Sequence, residues 1–255
     1  MELTQESFFE DIDKFTSETE EYSRNIFSSR NDWNKLNDLL KTYTGFLQSA
    51  TKDTGSEAAR DSGLHYKVGI SVKSVRVLFP YLYVSIKGFY DEANAFVRNF
   101  VELSLILIDI GYNNESLVYW KNGKPGEFSD IKSVLKRIDK NKDNIPKVDW
   151  GAVRYFKDKY YQISQDFSHE LKLQNIEKIF KLNGSVKFSD RANEEFTIMR
   201  MKSFQSLILN AISLLVGVTN YSELVNRNSS NYPEAIQLKT SYEKLSGEFE
   251  KLKHD

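Results

Sequence analysis

Phe96–Tyr112 reads FVRNFVELSLILIDIGY, one of the most apolar runs in a chain of 255 residues, yet it carries Arg98, Glu102 and Asp109. A helix advances about 100° per residue, which puts Glu102 roughly 40° and Asp109 roughly 20° from Arg98, so all three charges lie on one stripe. The rest of the surface is Phe, Val, Leu and Ile. A helix that is apolar nearly all round is enclosed by other helices. The stretch therefore predicts the central helix, from about Tyr90 to Ile110, of an all-α bundle. Isolated buried charges are very costly, so Arg98 and Glu102 are expected to be desolvated and paired with each other at i, i+4. Asp109, close to the helix end, is expected to reach solvent.

Outward from this helix, the pattern stays helical. Towards the N-terminus, Phe8, Ile12, Phe15, Thr19, Tyr22 and Ile26 repeat at alternating spacings of four and three, a coiled-coil-like seam. Trp33, Leu36, Leu40, Tyr43 and Leu47 continue it in a second helix. Ser49–Gly63 has no periodicity and is rich in small polar residues, which predicts a mobile loop. Residues 66–87 are rich in Val and Tyr, a composition that permits strands. A helix with a break or restart at Pro80 is preferred, because its neighbours are plainly helical. Gly88 reads as a stop and Asp91 as the next cap.

Beyond the central helix, a short helical piece runs through Trp120. A helix in FSDIKSVLKRI follows, capped by Ser129 or Asp130, and another from Asp149 to about His169. Residues 191–218 predict a long helix with an apolar second half, and Ala235, Leu238, Tyr242, Leu245, Phe249 and Leu252 mark a last amphipathic one. The domain reading is a single all-α domain over 1–255. It comprises an N-terminal helical hairpin over 1–50, a central bundle over 66–226, and a C-terminal helix over 233–255 that packs on the bundle or on a partner.

Composition narrows the function classes. Lys+Arg is 35 and Asp+Glu is 36, giving a net charge of −1. That balance does not indicate nucleic acid or anionic membrane as a partner, although a local patch can hide within it. The absence of cysteine removes disulfides and thiolate zinc sites. A cytoplasmic location is the default expectation. The acidic start, MELTQESFFEDIDKF, does not read as a secretory leader. The apolar run Phe204–Val218 is interrupted by Gln205, Ser206, Asn210 and Ser213 and is shorter than the roughly 20 residues a membrane span needs.

One constellation is a candidate site. YYQISQDFSHELK, Tyr160–Lys172, holds His169, one of only three histidines, with Ser164 and Ser168 one turn apart. If His169 faces the Arg98–Glu102 stripe, it can supply an acid/base group, with Ser164, Ser168 and Asp109 as ligand-binding neighbours. The plainer alternative is a structural ion pair that fixes helix register. The shared site requires His169 within about 12 Å of Arg98.

YDEANAFVRNFVELSLILIDI, followed by Trp120 and YYQISQDFSHE, resembles uncharacterised bacterial all-helical proteins with an R-x-x-x-E helix and a later S-x-x-x-x-H helix. Arg98 and Glu102 match the first motif, Ser164 and His169 the second, over residues 70–180. Some such proteins look akin to the HEPN group of helical domains. That likeness implies bacterial defence or stress response and, in some members, RNA cleavage by an Arg and a His four to six residues apart on one helix. The sole formal match here is RDSGLH, Arg60–His65, in a Gly-containing loop, a departure that counts against ribonuclease activity.

Other chemistries lack their residues. A di-iron bundle wants paired Glu-x-x-His motifs, and the nearest approach is Asp166-x-x-His169. There is no phosphate-binding Gly loop and no nucleophile elbow. No metal or cofactor is expected. The reading that follows is a non-enzymatic helical interaction protein. Its partner is another protein or a second copy, engaged through amphipathic helices. The alternative is a HEPN-like metal-independent ribonuclease or hydrolase using Arg98, Glu102 and His169.

Overall fold

The computed structural model describes residues 5–29, 63–122, 130–147, 149–169 and 194–218, together with 31, 34, 37, 38, 40, 41, 43–45, 47 and 48. At 5–12, 15, 64, 90, 91, 164–169, 194–196, 200, 201 and 215–218 only the backbone is described. The elements are α1 (Gln5–Ser29), α2 (Leu64–Ile86), α3 (Tyr90–Tyr112), α4 (Asn114–Lys121), α5 (Ile131–Lys140), a 3-10 turn at Lys142–Asn144, α6 (Trp150–His169) and α7 (Glu194–Val218). The described residues between 31 and 48 are helical as well, and no strand occurs among the described residues. The fold is all-α. Most of the expected Ser49–Gly63 loop and the whole expected C-terminal helix lie outside the described residues.

α3 is the central helix. It packs on α2, α4, α5, α6 and α7. From Phe100 onward its side chains are buried on nearly every side, with Phe100, Val101, Leu105 and Ile108 fully enclosed. Phe100 meets Phe156 of α6 at a ring-centroid distance of 6.0 Å, and Tyr81 of α2 stacks on Phe204 of α7 at 5.8 Å. α7 contributes Leu207, Ile208, Ile212 and Leu214 to the same core. Among the described residues no helix is long and apolar enough to cross a membrane.

α2 corrects one expectation. It runs unbroken through Pro80 rather than breaking there. A proline withholds one N–H, here the donor to the Arg76 carbonyl. Arg76 and Phe79 lie on the exposed side of α2, where water can serve that carbonyl, while Val75, Leu78 and Tyr81 hold the other side in the core.

The link from α2 to α3 is only Lys87, Gly88 and Phe89. The Phe89 N–H donates to the Val84 carbonyl at 3.3 Å and the Gly88 N–H to the Ser85 carbonyl at 3.0 Å. This is the Schellman pairing, and it requires the left-handed φ of +88° at Gly88. The expected cap at Asp91 is not used. Phe89 occupies the cap position without a side-chain bond, because the tight turn delivers the chain directly into α3.

Among the described side chains of α1, Thr16, Thr19, Ser23 and Phe27 are buried and Tyr22 is exposed, so the expected seam holds at Thr19 and fails at Tyr22, while the side chains of Phe8, Ile12 and Phe15 lie outside the described ones. Phe27 packs with Ile86 and Leu82 of α2. In the segment between 31 and 48, Tyr43 and Leu47 are buried as their spacing implies.

Gly63 caps α2 with φ +70°, and a Cβ built on it would stand 2.3 Å from a Leu117 methyl of α4. Gly63→Ala is expected to lose about 2–3 kcal/mol in denaturant unfolding, from backbone strain plus overpacking. In a Leu117→Ala background the loss should shrink to the backbone part, about 1 kcal/mol.

Candidate functional site

The charged stripe of α3 exists, but its two ends have the opposite environments from those expected. Arg98 Nε donates to Glu102 Oε1 at 2.9 Å, so the i, i+4 pair is real. Its side chains are 43% and 25% exposed, so it is only partly desolvated. Asp109, expected to reach solvent, has a side chain only 1% exposed. The reason is tertiary. The first half of the stripe, shared with exposed Glu92 and Asn99, faces outward, whereas α5 crosses the second half.

α5 lays its apolar face, Ile131, Val134, Leu135 and Ile138, into the core. Asp130 caps it, its carboxylate accepting from the Ser133 N–H at 3.1 Å. Arg137 stands at the edge of that buried face and reaches Asp109. Its Nε and one terminal nitrogen both donate to Asp109 Oδ2, at 2.9 and 2.7 Å. The Arg137 side chain is itself only 16% exposed.

Asn113 ties the same point to α4. Its backbone N–H donates to the Asp109 carbonyl at 3.0 Å, closing α3. Its side-chain oxygen accepts from the Glu115 N–H at 3.0 Å, opening α4. Its side-chain amide donates to Ser116 Oγ at 3.0 Å and leans toward Asp109 Oδ1 at 3.4 Å. Next to it, the Tyr112 hydroxyl donates to Asp149 Oδ2 at 2.8 Å, joining the end of α3 to the start of α6. Asp149 sits where the sequence placed a cap, but Tyr112 claims its carboxylate. Burial pushes the Asp149 carboxyl above the usual range, partly offset by the Tyr112 hydrogen bond. Burial, then the Asp149 charge, hold the Tyr112 hydroxyl well above its ordinary value. Asp109, Arg137, Asn113, Tyr112 and Asp149 thus form a polar knot joining four helices. Of these, the sequence singled out Asp109 as a site residue, and the only signal for Arg137 was that a buried carboxylate needs a cation from another helix.

The other expected site residues, Ser164, Ser168 and His169, lie on α6. Tyr160 of α6 lies within electrostatic reach of Arg98. The pairs Arg98 with Tyr160, Phe100 with Phe156 and Tyr112 with Asp149 run in opposite directions, so α3 and α6 are antiparallel. His169 lies nine residues beyond Tyr160, about 13 Å of helix rise past the level of Arg98. The side chains of Ser164, Ser168 and His169 lie outside the described ones. Of RDSGLH, Arg60 falls outside the described residues, and His65 is in the first turn of α2, its Nδ1 buried with no hydrogen-bond partner among the described residues. Among the described residues no group of three or more His, Asp or Glu is placed to hold a metal.

Compared with known proteins, the chain matches no family model, and searches of curated proteins and of solved structures give no significant match.

Two outcomes test this geometry. Arg137→Ala strands a buried carboxylate and is expected to cost about 3–5 kcal/mol in equilibrium unfolding, with Asp109→Leu/Arg137→Met recovering most of it. Arg98→Ala, in a solvated pair, should cost no more than about 1 kcal/mol. The second outcome concerns pH. Asp149 has an ordinary value of 3.8, raised in the fold, so ionising it opposes folding, and its contribution declines as pH rises through the folded value. Asp149→Asn keeps an oxygen for Tyr112 without the charge. Relative to wild type it should gain stability at about pH 7 and lose that advantage at about pH 3, read from paired denaturation midpoints.

Proposed function

We propose that this chain is a non-enzymatic helical interaction protein whose working surface is the outer face of α2. One observation carries this reading. Phe79 and Tyr83, one turn apart, are 52% and 56% exposed. They stand beside the exposed cations Lys73 and Arg76 on the same side of the helix. Clustered exposed aromatics and cations of this kind mark contact surfaces, since Tyr, Phe and Arg are the residues enriched where proteins meet.

The hydrolase alternative draws less support. Arg98 is engaged by Glu102, and the antiparallel register carries His169 away from it along α6. The setting in bacterial defence or stress response rests on the R-x-x-x-E and S-x-x-x-x-H resemblance alone.

The test has two arms. Purified protein incubated with single-stranded RNA should leave it intact, with wild type and His169→Ala indistinguishable. Cleavage that disappears in His169→Ala would overturn the reading. A photo-crosslinking amino acid at position 79 should capture a macromolecular partner in cells, whereas one at the exposed Tyr161 of α6 should not. Equal capture at both positions would remove α2 as the working surface.

A further inference from the structure

The second half of α1 meets the C-terminal end of α2, the two running in opposite directions. Glu20 of α1 pairs with Lys87 of α2 at 2.9 Å, and Phe27 packs with Ile86 and Leu82. Their charges are opposite. α1 contains seven acidic residues and two basic ones. From Ser62 to Tyr90 there are four Lys or Arg and no Asp or Glu. The outward faces keep this contrast, with Glu18, Glu21 and Tyr22 exposed on α1 and Lys73, Arg76, Phe79 and Tyr83 exposed on α2. Among the described residues, Lys73, Arg76, Glu18 and Glu21 take part in no ion pair.

We infer that the outer faces of α1 and α2 form one self-complementary surface that takes a second copy of this chain. The inference rests on the reading of α2 as the working surface and names what docks there. A two-fold axis passing between adjacent acidic and basic helices exchanges them, so each acidic face meets a basic face, twice. The chain already joins α1 to α2 by the same chemistry. Lys87 bridges to Glu20 and also sits over the Tyr83 ring, 5.1 Å from its centroid.

Charge agrees with this partner. A net charge of −1 adds little long-range repulsion between copies. A polyanion such as nucleic acid, or an anionic membrane, would instead meet the carboxylates of α1 beside the cations it sought.

The test is a charge swap on the intact chain, read by sedimentation across a concentration series, with folding of every variant checked by circular dichroism. Wild type should dimerise reversibly and weaken about tenfold when salt rises from about 0.1 to about 1 M, where screening shortens from about 10 to about 3 Å. Lys73→Glu/Arg76→Glu and Glu18→Lys/Glu21→Lys should each weaken self-association by about 100-fold or more, because like charges then face each other. Mixed in equal amounts, these two variants should form a heterodimer as tight as wild type. A wild type that stays monomeric overturns the inference, as do reversed variants that dimerise normally or a mixture that stays monomeric. If wild type is monomeric while position 79 crosslinks a different protein, nucleic acid or lipid, the second-copy inference falls and the α2 working surface stands. If neither occurs, both fall.

Discussion

A carboxylate without water sets the terms for this structure. Asp109 lies near the end of the most enclosed helix, and its charge is tolerable only because Arg137 places two donors on one of its oxygens. That requirement fixes where α5 crosses α3. The crossing decides which part of the α3 stripe stays wet. Asn113 and Tyr112, the next residues along, turn the same point into the start of α4 and the anchor of α6. A hydrophobic core constrains volume but leaves elements some freedom to slide. A bidentate contact between a guanidinium and a buried carboxylate leaves much less, because a shift of one turn would strand both charges.

Around that point the molecule is layered by exposure rather than by composition. α3 and the second half of α7 are apolar and enclosed. α2 and α1 are two-faced. α2 has an apolar inner face and an aromatic, basic outer one, while the described buried side chains of α1 are Thr16, Thr19, Ser23 and Phe27. The Glu20–Lys87 pair and Phe27 hold the second half of α1 to the bundle.

The all-α fold, the central helix and the stop at Gly88 were legible in the sequence because each depends on local information: period, breaker content and a residue that tolerates positive φ. The geometry of the charged stripe was legible too, since helix rotation alone puts Arg98, Glu102 and Asp109 in line. Its environment was not. Whether a given length of stripe is covered depends on α5, roughly 30 residues away, so sequence reasoning assigned burial to Arg98 and solvent to Asp109, the reverse of what the bundle does. Pro80 misled for a related reason, because the cost of its missing N–H depends on whether the orphaned Arg76 carbonyl faces water. Whether His169 faces the Arg98–Glu102 stripe depends on the relative direction of α3 and α6, which the sequence does not carry and their packing supplies.

The three-residue link between α2 and α3 has a kinetic consequence. Among the described residues, the most extensive helix–helix interface joins two helices that are also neighbours in the chain. Contacts so close in sequence close small loops and lose little chain entropy on forming. The α2–α3 hairpin can therefore assemble early and present an apolar platform on which α5, α6 and α7 condense. The left-handed Gly88 reverses the chain there, so this short-range contact turns on a glycine and needs none of the charges that join α5 to α3.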